Sequence, residues 1–482
     1  MTGTSKRHDF LVLTACILPN IAKFQLESTI TMMRIMLMIR VNRRSEFDGQ
    51  QVNLHLQTDH FETSIKMTLP HLNTIGQPAS PRTLTILGFP MAVWVLALGH
   101  GLVDCYATFI QPLWPSLAGY TNTDEDHIQW AFISWSLAGS ITQLGFARLA
   151  DMGRGRILLW VGPIGGIMLI GLIGNISGLA SLIAVLVTAN LGFAAFHPEA
   201  ATLAGSASPT DRAKAMSIFA VGGFMGQALG PSLSGYLVSH GGLGQLAWTI
   251  IPGLIVCVAL IVALKVADKF HHESKTSQQN QPSPAVVSIR QLLRGREWRV
   301  AHLVILSLLR VAAAMGVPLT LAYGLADKGI TADIIGEIQS VFLIGMGTGT
   351  LMCAVLVNQK NENAVIWLAP LAVALILPSA VFLGTSSLWI AMAASGTLLG
   401  LSLPILTSRG QELMPDAPRV GSSLTMGVTW GFGAILIAAL MATVGHLGNH
   451  FLAFYVLSAW LAISACMSWP GWTTRWQKRI SS

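Results

Sequence analysis

Few residues of this chain are equipped for chemistry, and those few stand in apolar surroundings. His100 and Asp104 are four residues apart in LALGHGLVDCYATF, one turn apart if the stretch is helical. His197, Pro198 and Glu199 are consecutive in GFAAFHPEAATLAG, and Arg310 sits in LSLLRVAAAMG. An imidazole beside a carboxylate can exchange a proton near neutral pH, which suits proton coupling by His100, Asp104, His197 and Glu199. An arginine in an apolar helix either attracts an anionic group or pairs with an acid, so Arg310 and Asp104 opposite it are candidate substrate-binding residues. The competing reading is that these groups only brace helices against one another.

Other chemistry is excluded by pattern. No GxxxxGK[ST] phosphate loop is present, so the chain carries no ATP-binding site of that type. Neither a metal-ligand spacing nor a nucleophile triad appears, and the expectation is a non-enzyme without cofactor or metal. Cys105, Cys257, Cys353 and Cys466 lie in apolar blocks with no CxxC pair, which fits small apolar fillers.

The elements that must position these residues are membrane spans. Of 482 residues 52% are hydrophobic and only 11% charged, whereas a soluble domain has roughly 25% charged residues. The apolar residues fall in blocks of a length that crosses a hydrocarbon core of ~30 Å as a helix. Twelve spans are expected, near 86–117, 127–150, 156–174, 178–205, 212–239 and 245–266, then 299–325, 332–357, 363–383, 386–408, 418–444 and 449–469. In lipid only helices satisfy every backbone group within such a segment, so the fold class is all-α integral membrane.

Lysine and arginine orient the spans. The loops after even-numbered spans and the C-terminal tail, with the span ends bordering them, hold 18 basic residues; the loops after odd-numbered spans hold Lys328 alone. That asymmetry puts the even-side loops and the C-terminus in the cytoplasm, in a multi-pass protein of the cytoplasmic membrane. The net charge of +7 is thus a topology signal, and no nucleic-acid partner is expected.

Sliding the sequence against itself by 206 residues superposes Pro112 on Pro318, Gly139 on Gly345, Gly178 on Gly384, Pro198 on Pro404, Ser217 on Ser423 and His240 on His446. Matches at one offset argue for duplication of a six-helix unit. The expected organisation is a six-helix half at 83–268, a polar cytoplasmic linker at 269–298 and a second half at 299–482. The same offset pairs Asp104 with Arg310, which should then face each other across a central cavity. Residues 1–82 do not fit this plan, since FLVLTACILP is too short to span and TMMRIMLMIR is broken by arginines. They read as an extension, disordered or preceding a true start at Met67.

Four stretches resemble the fosmidomycin-resistance branch of the major facilitator superfamily. They are HGLVDCYATFIQPLWPSL, GFAAFHPEAATLAGSASPTDRAKAMSIFAVGGFMGQALGP, RGQELMPDAPRVGSSLTMGVTWGFGAIL and, more weakly, QLGFARLADMGRGRILL. Within GQALGPSLSG, Gly226, Gly230, Pro231 and Gly235 resemble the superfamily's antiporter motif, with Ser234 where a further glycine is usual. Asp151, Arg154 and Arg156 resemble its gating loop, although Ala147 replaces a glycine of the motif. The resemblance implies two six-helix repeats and a secondary active transporter exporting small molecules or drugs, often anionic or amphiphilic, by alternating access. It implies proton coupling and a monomer whose partners are a small-molecule substrate, protons and the lipid bilayer. The alternatives are an uptake permease for an organic anion or sugar, and a non-transporting membrane sensor on the same fold.

Overall fold

The computed structural model describes residues 85–150, 154–208, 211–269, 293–382, 384–415 and 418–469. The extension at 1–82, Asp151 of the gating loop, linker residues 270–292 and the tail from 470 lie outside the described residues. Apart from a two-residue antiparallel ladder, Thr85–Ile86 with Phe89–Pro90, the regular structure of the described residues is helical.

The first half contains α1 (Met91–Thr108), α2 (Trp114–Tyr120), α3 (Glu125–Leu149), α4 (Gly155–Gly171), α5 (Leu179–Ala207), α6 (Arg212–Gly241) and α7 (Ile250–Lys269). The second contains α8 (Glu297–Ala326), α9 (Ala332–Leu356), α10 (Glu362–Ser379), α11 (Thr385–Leu413), α12 (Pro418–Ser423), α13 (Thr429–His446) and α14 (Ala453–Ser468). Met91 and Glu297, Leu179 and Thr385, and Arg212 and Pro418 are helix starts lying 206 residues apart, the offset at which the sequence matches itself. Among the described residues, nine helices are long and apolar enough to cross a membrane, and Gly155–Gly171 is a shorter apolar helix.

Departures from the expected spans have local causes. The first span breaks after Thr108 into a 3₁₀ turn, Gln111–Leu113, before α2 resumes. Pro112 and Pro115 donate no backbone hydrogen bond there. The eleventh is interrupted by a π-turn over Leu424–Val428 between α12 and α13, a feature that widens a helix by one residue. Large apolar side chains stay exposed along helix faces, Ile251, Ile255 and Val262 on α7 and Leu375 on α10 among them, as a lipid solvent permits.

Glycine sets how closely the helices cross. A Cβ on Gly222 would collide with the Ala97 carbonyl, one on Gly226 with that of Gly101, and one on Gly230 with that of Cys105. These three thus bring the α6 backbone directly onto α1. Further along α6 the packing switches partner: a Cβ on Gly235 would strike the Ala332 carbonyl of α9, and one on Gly336 that of Pro231. The antiporter-like motif is therefore divided, Gly226 and Gly230 packing within the first half, Gly235 and Pro231 between halves. Polar links between halves lie toward that same end of the bundle: Ser232 to Ser340 at 2.7 Å, Ser239 to Asp333 at 3.2 Å, and Gln339 to the Gln111 carbonyl at 3.3 Å.

Candidate functional site

The buried Asp104, only 5% exposed, is the centre of a polar cluster inside the bundle. Helix α1 presents His100 and Asp104 on one face because they are one turn apart. The His197 ring on α5 reaches the same carboxylate, its Nε2 3.1 Å from Oδ1. On the other oxygen, Oδ2, Gln227 of α6 donates through its Nε2 at 2.8 Å, and the His100 Nε2 stands 3.4 Å away. Gly223 leaves the space that the His100 ring fills, and Phe219 stacks on that ring at 4.2 Å between centroids.

Hydrogen-bond bookkeeping decides what this cluster can do. The His100 Nδ1 is 2.9 Å from the Phe219 carbonyl and the His197 Nδ1 is 2.8 Å from the Phe193 carbonyl. A carbonyl only accepts, so both Nδ1 atoms carry the hydrogen. A neutral ring then has a bare lone pair on Nε2, and both of these lone pairs face a carboxylate that also only accepts. Neither imidazole–carboxylate contact is a hydrogen bond until a proton is added to it. The geometry thus contains two places, one on each side of Asp104, where an added proton converts repulsion into a bond.

Glu199 is not part of this cluster. Two residues along a helix project about 200° apart, so His197 turns toward α1 while Glu199 turns toward α4. Its carboxylate packs against Gly155, where a Cβ would overlap it. An anion at a helix N-terminus is favoured by the exposed N–H groups and the helix dipole. Arg154 caps α4 by its backbone position, and Arg154 and Arg156 are exposed there. In the second half, Arg409 of α11 donates to Glu362 at 2.9 Å and to Asn363 at 2.6 Å, at the start of α10.

The pairing of Asp104 with Arg310 across a cavity is also not what the structure holds. Arg310 is fully buried inside the second half. Its Nε donates to Ser464 at 2.9 Å, and one terminal nitrogen donates to Ser468 at 2.8 Å and to the Ile366 carbonyl at 2.6 Å. Nη1 is buried without a hydrogen-bond partner. The offset identifies equivalent positions on α1 and α8, but the Asp104 face meets α5 and α6 whereas the Arg310 face meets α10 and α14.

Sequence reasoning missed Gln227, although it sits between Gly226 and Gly230, where a polar side chain in a closely packed helix is a signal. It also missed His450, Glu125 and Asp327, which stand at helix ends and read as loop charges. His450 Nδ1 is 2.6 Å from Asp327 and its Nε2 2.9 Å from Glu125. Among the described residues, His100–Asp104–His197 and Glu125–Asp327–His450 are the two groupings whose ligand atoms could surround a cation. The His450 contacts are direct hydrogen-bond lengths, and its two nitrogens point to opposite carboxylates instead of converging on one point.

Comparison with known proteins covers most of the chain. Residues 96–438 match the sequence profile of the Major Facilitator Superfamily. The fosmidomycin resistance protein of Escherichia coli (strain K12) is 27% identical over 362 residues, covering 73% of this chain and 86% of that protein. An uncharacterized MFS-type transporter of Bacillus subtilis (strain 168), YfnC, is 28% identical over 269 residues, 54% of this chain and 63% of that protein. The multidrug resistance protein Stp of Mycobacterium tuberculosis is 31% identical over 167 residues, covering 33% of this chain and 30% of its own length. Among solved structures, the nucleoside transporter NupG superposes with a TM-score of 0.62 at 14% identity, over 78% of this chain and 98% of its own. A D-xylose–proton symporter superposes with a TM-score of 0.59 at 16% identity, over 79% of this chain and 97% of its own.

Proposed function

The chain belongs to the major facilitator superfamily, and from that premise we propose that it is a proton-coupled exporter of small molecules working by alternating access, with Asp104, His100 and His197 as its proton site. One observation carries this reading: both imidazoles commit Nδ1 to backbone carbonyls and turn Nε2 lone pairs on one buried carboxylate. A scaffold gains nothing from a cluster that lacks the proton its hydrogen bonds need. A carrier that loads and unloads a proton uses that deficit directly. Export is favoured because the relative matched over most of both chains is named for fosmidomycin resistance, and Stp for multidrug resistance.

The remaining assignments follow the contacts. Twelve spans form two six-helix repeats, and the shared 206-residue offset of helix starts supports that count. The even-side loops and the C-terminus face the cytoplasm by their basic residues, which makes the end bearing Ser239, Asp333 and His450 the outer mouth. Glu199 serves the cytoplasmic gate at the start of α4 beside Arg154 and Arg156. Arg310 pins α8 to α10 and α14 and does not meet substrate. The halves work within a single chain, and small amphiphilic anions are the substrate class to try first. The test is drug susceptibility and solute accumulation in cells with and without the protein, with a protonophore as control. Unchanged accumulation when the proton gradient is collapsed refutes proton-coupled export.

A further inference from the structure

A second titratable group bridges the two halves at the end of the bundle opposite the basic loops. His450 precedes α14 and is buried, its ring stacked on Tyr323 at 5.1 Å between centroids. Asp327, at the end of α8, meets Nδ1 at 2.6 Å, and Glu125, which opens α3 of the other half, meets Nε2 at 2.9 Å. The charged groups around it are Asp126, paired with His446 of α13 at 3.1 Å, Lys328, lying over the Phe451 ring at 4.3 Å, and the Asp124–His127 pair in the preceding turn. The His446–Asp126 contact also crosses between halves. None of this belongs to the Asp104 cluster, and the following inference stands whether or not Asp104 couples transport to protons.

Both nitrogens of His450 face carboxylates. A neutral imidazole has one N–H and can satisfy only one of them. The two short contacts are both hydrogen bonds only when the ring is an imidazolium between two anions, one from each half. We propose that His450 is a second proton-binding site, and that its occupancy clasps Glu125 of the first half to Asp327 of the second and so holds this mouth shut. Loss of the proton turns one contact into a lone pair against a carboxylate. The remaining contact then anchors the ring to one half only, and the bridge is gone. The clasp is therefore present when both ring nitrogens carry hydrogen and lost when one of them is bare.

A divalent cation is the competing occupant, and the experiment separates the two. Spin labels at Gly119→Cys and Leu447→Cys, in a chain otherwise free of cysteine, report the separation of the halves at this mouth by pulsed electron resonance. Gly119 has open space where a Cβ would stand, and Leu447 is exposed. The labelled protein is measured in vesicles at about pH 5.5 and about pH 8.5, values that bracket imidazole titration. The short-distance population should dominate at the lower pH and shrink at the higher one, in the wild type and equally in Asp104→Asn. In His450→Gln it should be depleted at both. Glu125→Gln should keep it at both, because the amide N–H donates to the Nε2 lone pair and no added proton is needed. A pH response that survives in His450→Gln, or one that disappears in Asp104→Asn, overturns the proposal. So does loss of closure at low pH on adding a chelator, which would make a metal ion the clasp. Should His450→Gln fail to fold, the Glu125→Gln result decides alone: a pH response unchanged from wild type refutes the idea.

Discussion

Replacing Asp104 by asparagine should uncouple transport without damaging the protein, and the structure says why. The amide oxygen can still accept from Gln227, which lies 2.8 Å from Oδ2. The amide nitrogen can donate to the His197 Nε2 lone pair, now 3.1 Å from Oδ1. Asparagine thus imitates the proton-loaded cluster permanently. Because the amide keeps both the Gln227 and the His197 partners, stability should hold. Coupling has a defined size. One pH unit across the membrane is worth about 1.4 kcal/mol per proton, a tenfold ratio of solute at equilibrium. In reconstituted vesicles with a one-unit gradient and one proton per cycle, the wild type should approach about tenfold accumulation. The Asp104→Asn protein should stay near unity while still exchanging labelled for unlabelled solute at a comparable rate, since exchange moves no net proton. Tenfold accumulation by Asp104→Asn would refute the assignment. Rescue of a dead Asp104→Asn by Arg310→Gln would refute the separation of the two residues.

Arg310→Gln removes three polar links that bind α8 to α10 and α14. At the ~0.6 kcal/mol average measured for hydrogen bonds between membrane helices this is about 2 kcal/mol, read as a lowered melting temperature with KM for an anionic solute within about twofold. A KM raised more than about tenfold at unchanged stability would return Arg310 to the substrate site. Gly226→Leu should fail to reach a stable fold, because the Gly101 carbonyl occupies the space of its Cβ; a melting curve matching the wild type would show that α1 and α6 can separate. Gly235→Leu should leave each half folded but prevent α6 from meeting α9, seen as increased thiol labelling at the Ser239 mouth. For topology, Ser277→Cys should resist an impermeant thiol reagent in intact cells and Asn122→Cys should react, and the reverse pattern would invert the orientation.

Which residues place an ionisable group in an apolar stretch was legible in the sequence, and which of them meet was not. Composition alone requires a membrane-spanning helical chain, since 11% charged residues cannot cover soluble domains of this length. Ionisable groups in apolar stretches advertise themselves by their cost, so Asp104, His100, His197, Glu199 and Arg310 all stand out. The 206-residue offset locates equivalent helices, and the helix starts repeat at that spacing. Neighbours are another matter. His197 and Glu199 are two residues apart yet serve opposite faces of α5, one closing on Asp104 and the other on Gly155. Asp104 and Arg310 occupy equivalent positions yet turn to different helices.

The physical reason lies in the solvent. In water, the apolar stripe of a helix shows which face is buried. In lipid both faces are apolar, so periodicity carries little information about which one meets another helix. That choice is made by close backbone approach, here Gly222, Gly226 and Gly230 of α6 against Ala97, Gly101 and Cys105 of α1. Such contacts are complementary surfaces on segments more than a hundred residues apart, and they exist only once the chain has folded. The same holds for His450, an unremarkable loop histidine in sequence, which acquires its two carboxylates only when Glu125 and Asp327 arrive from different halves.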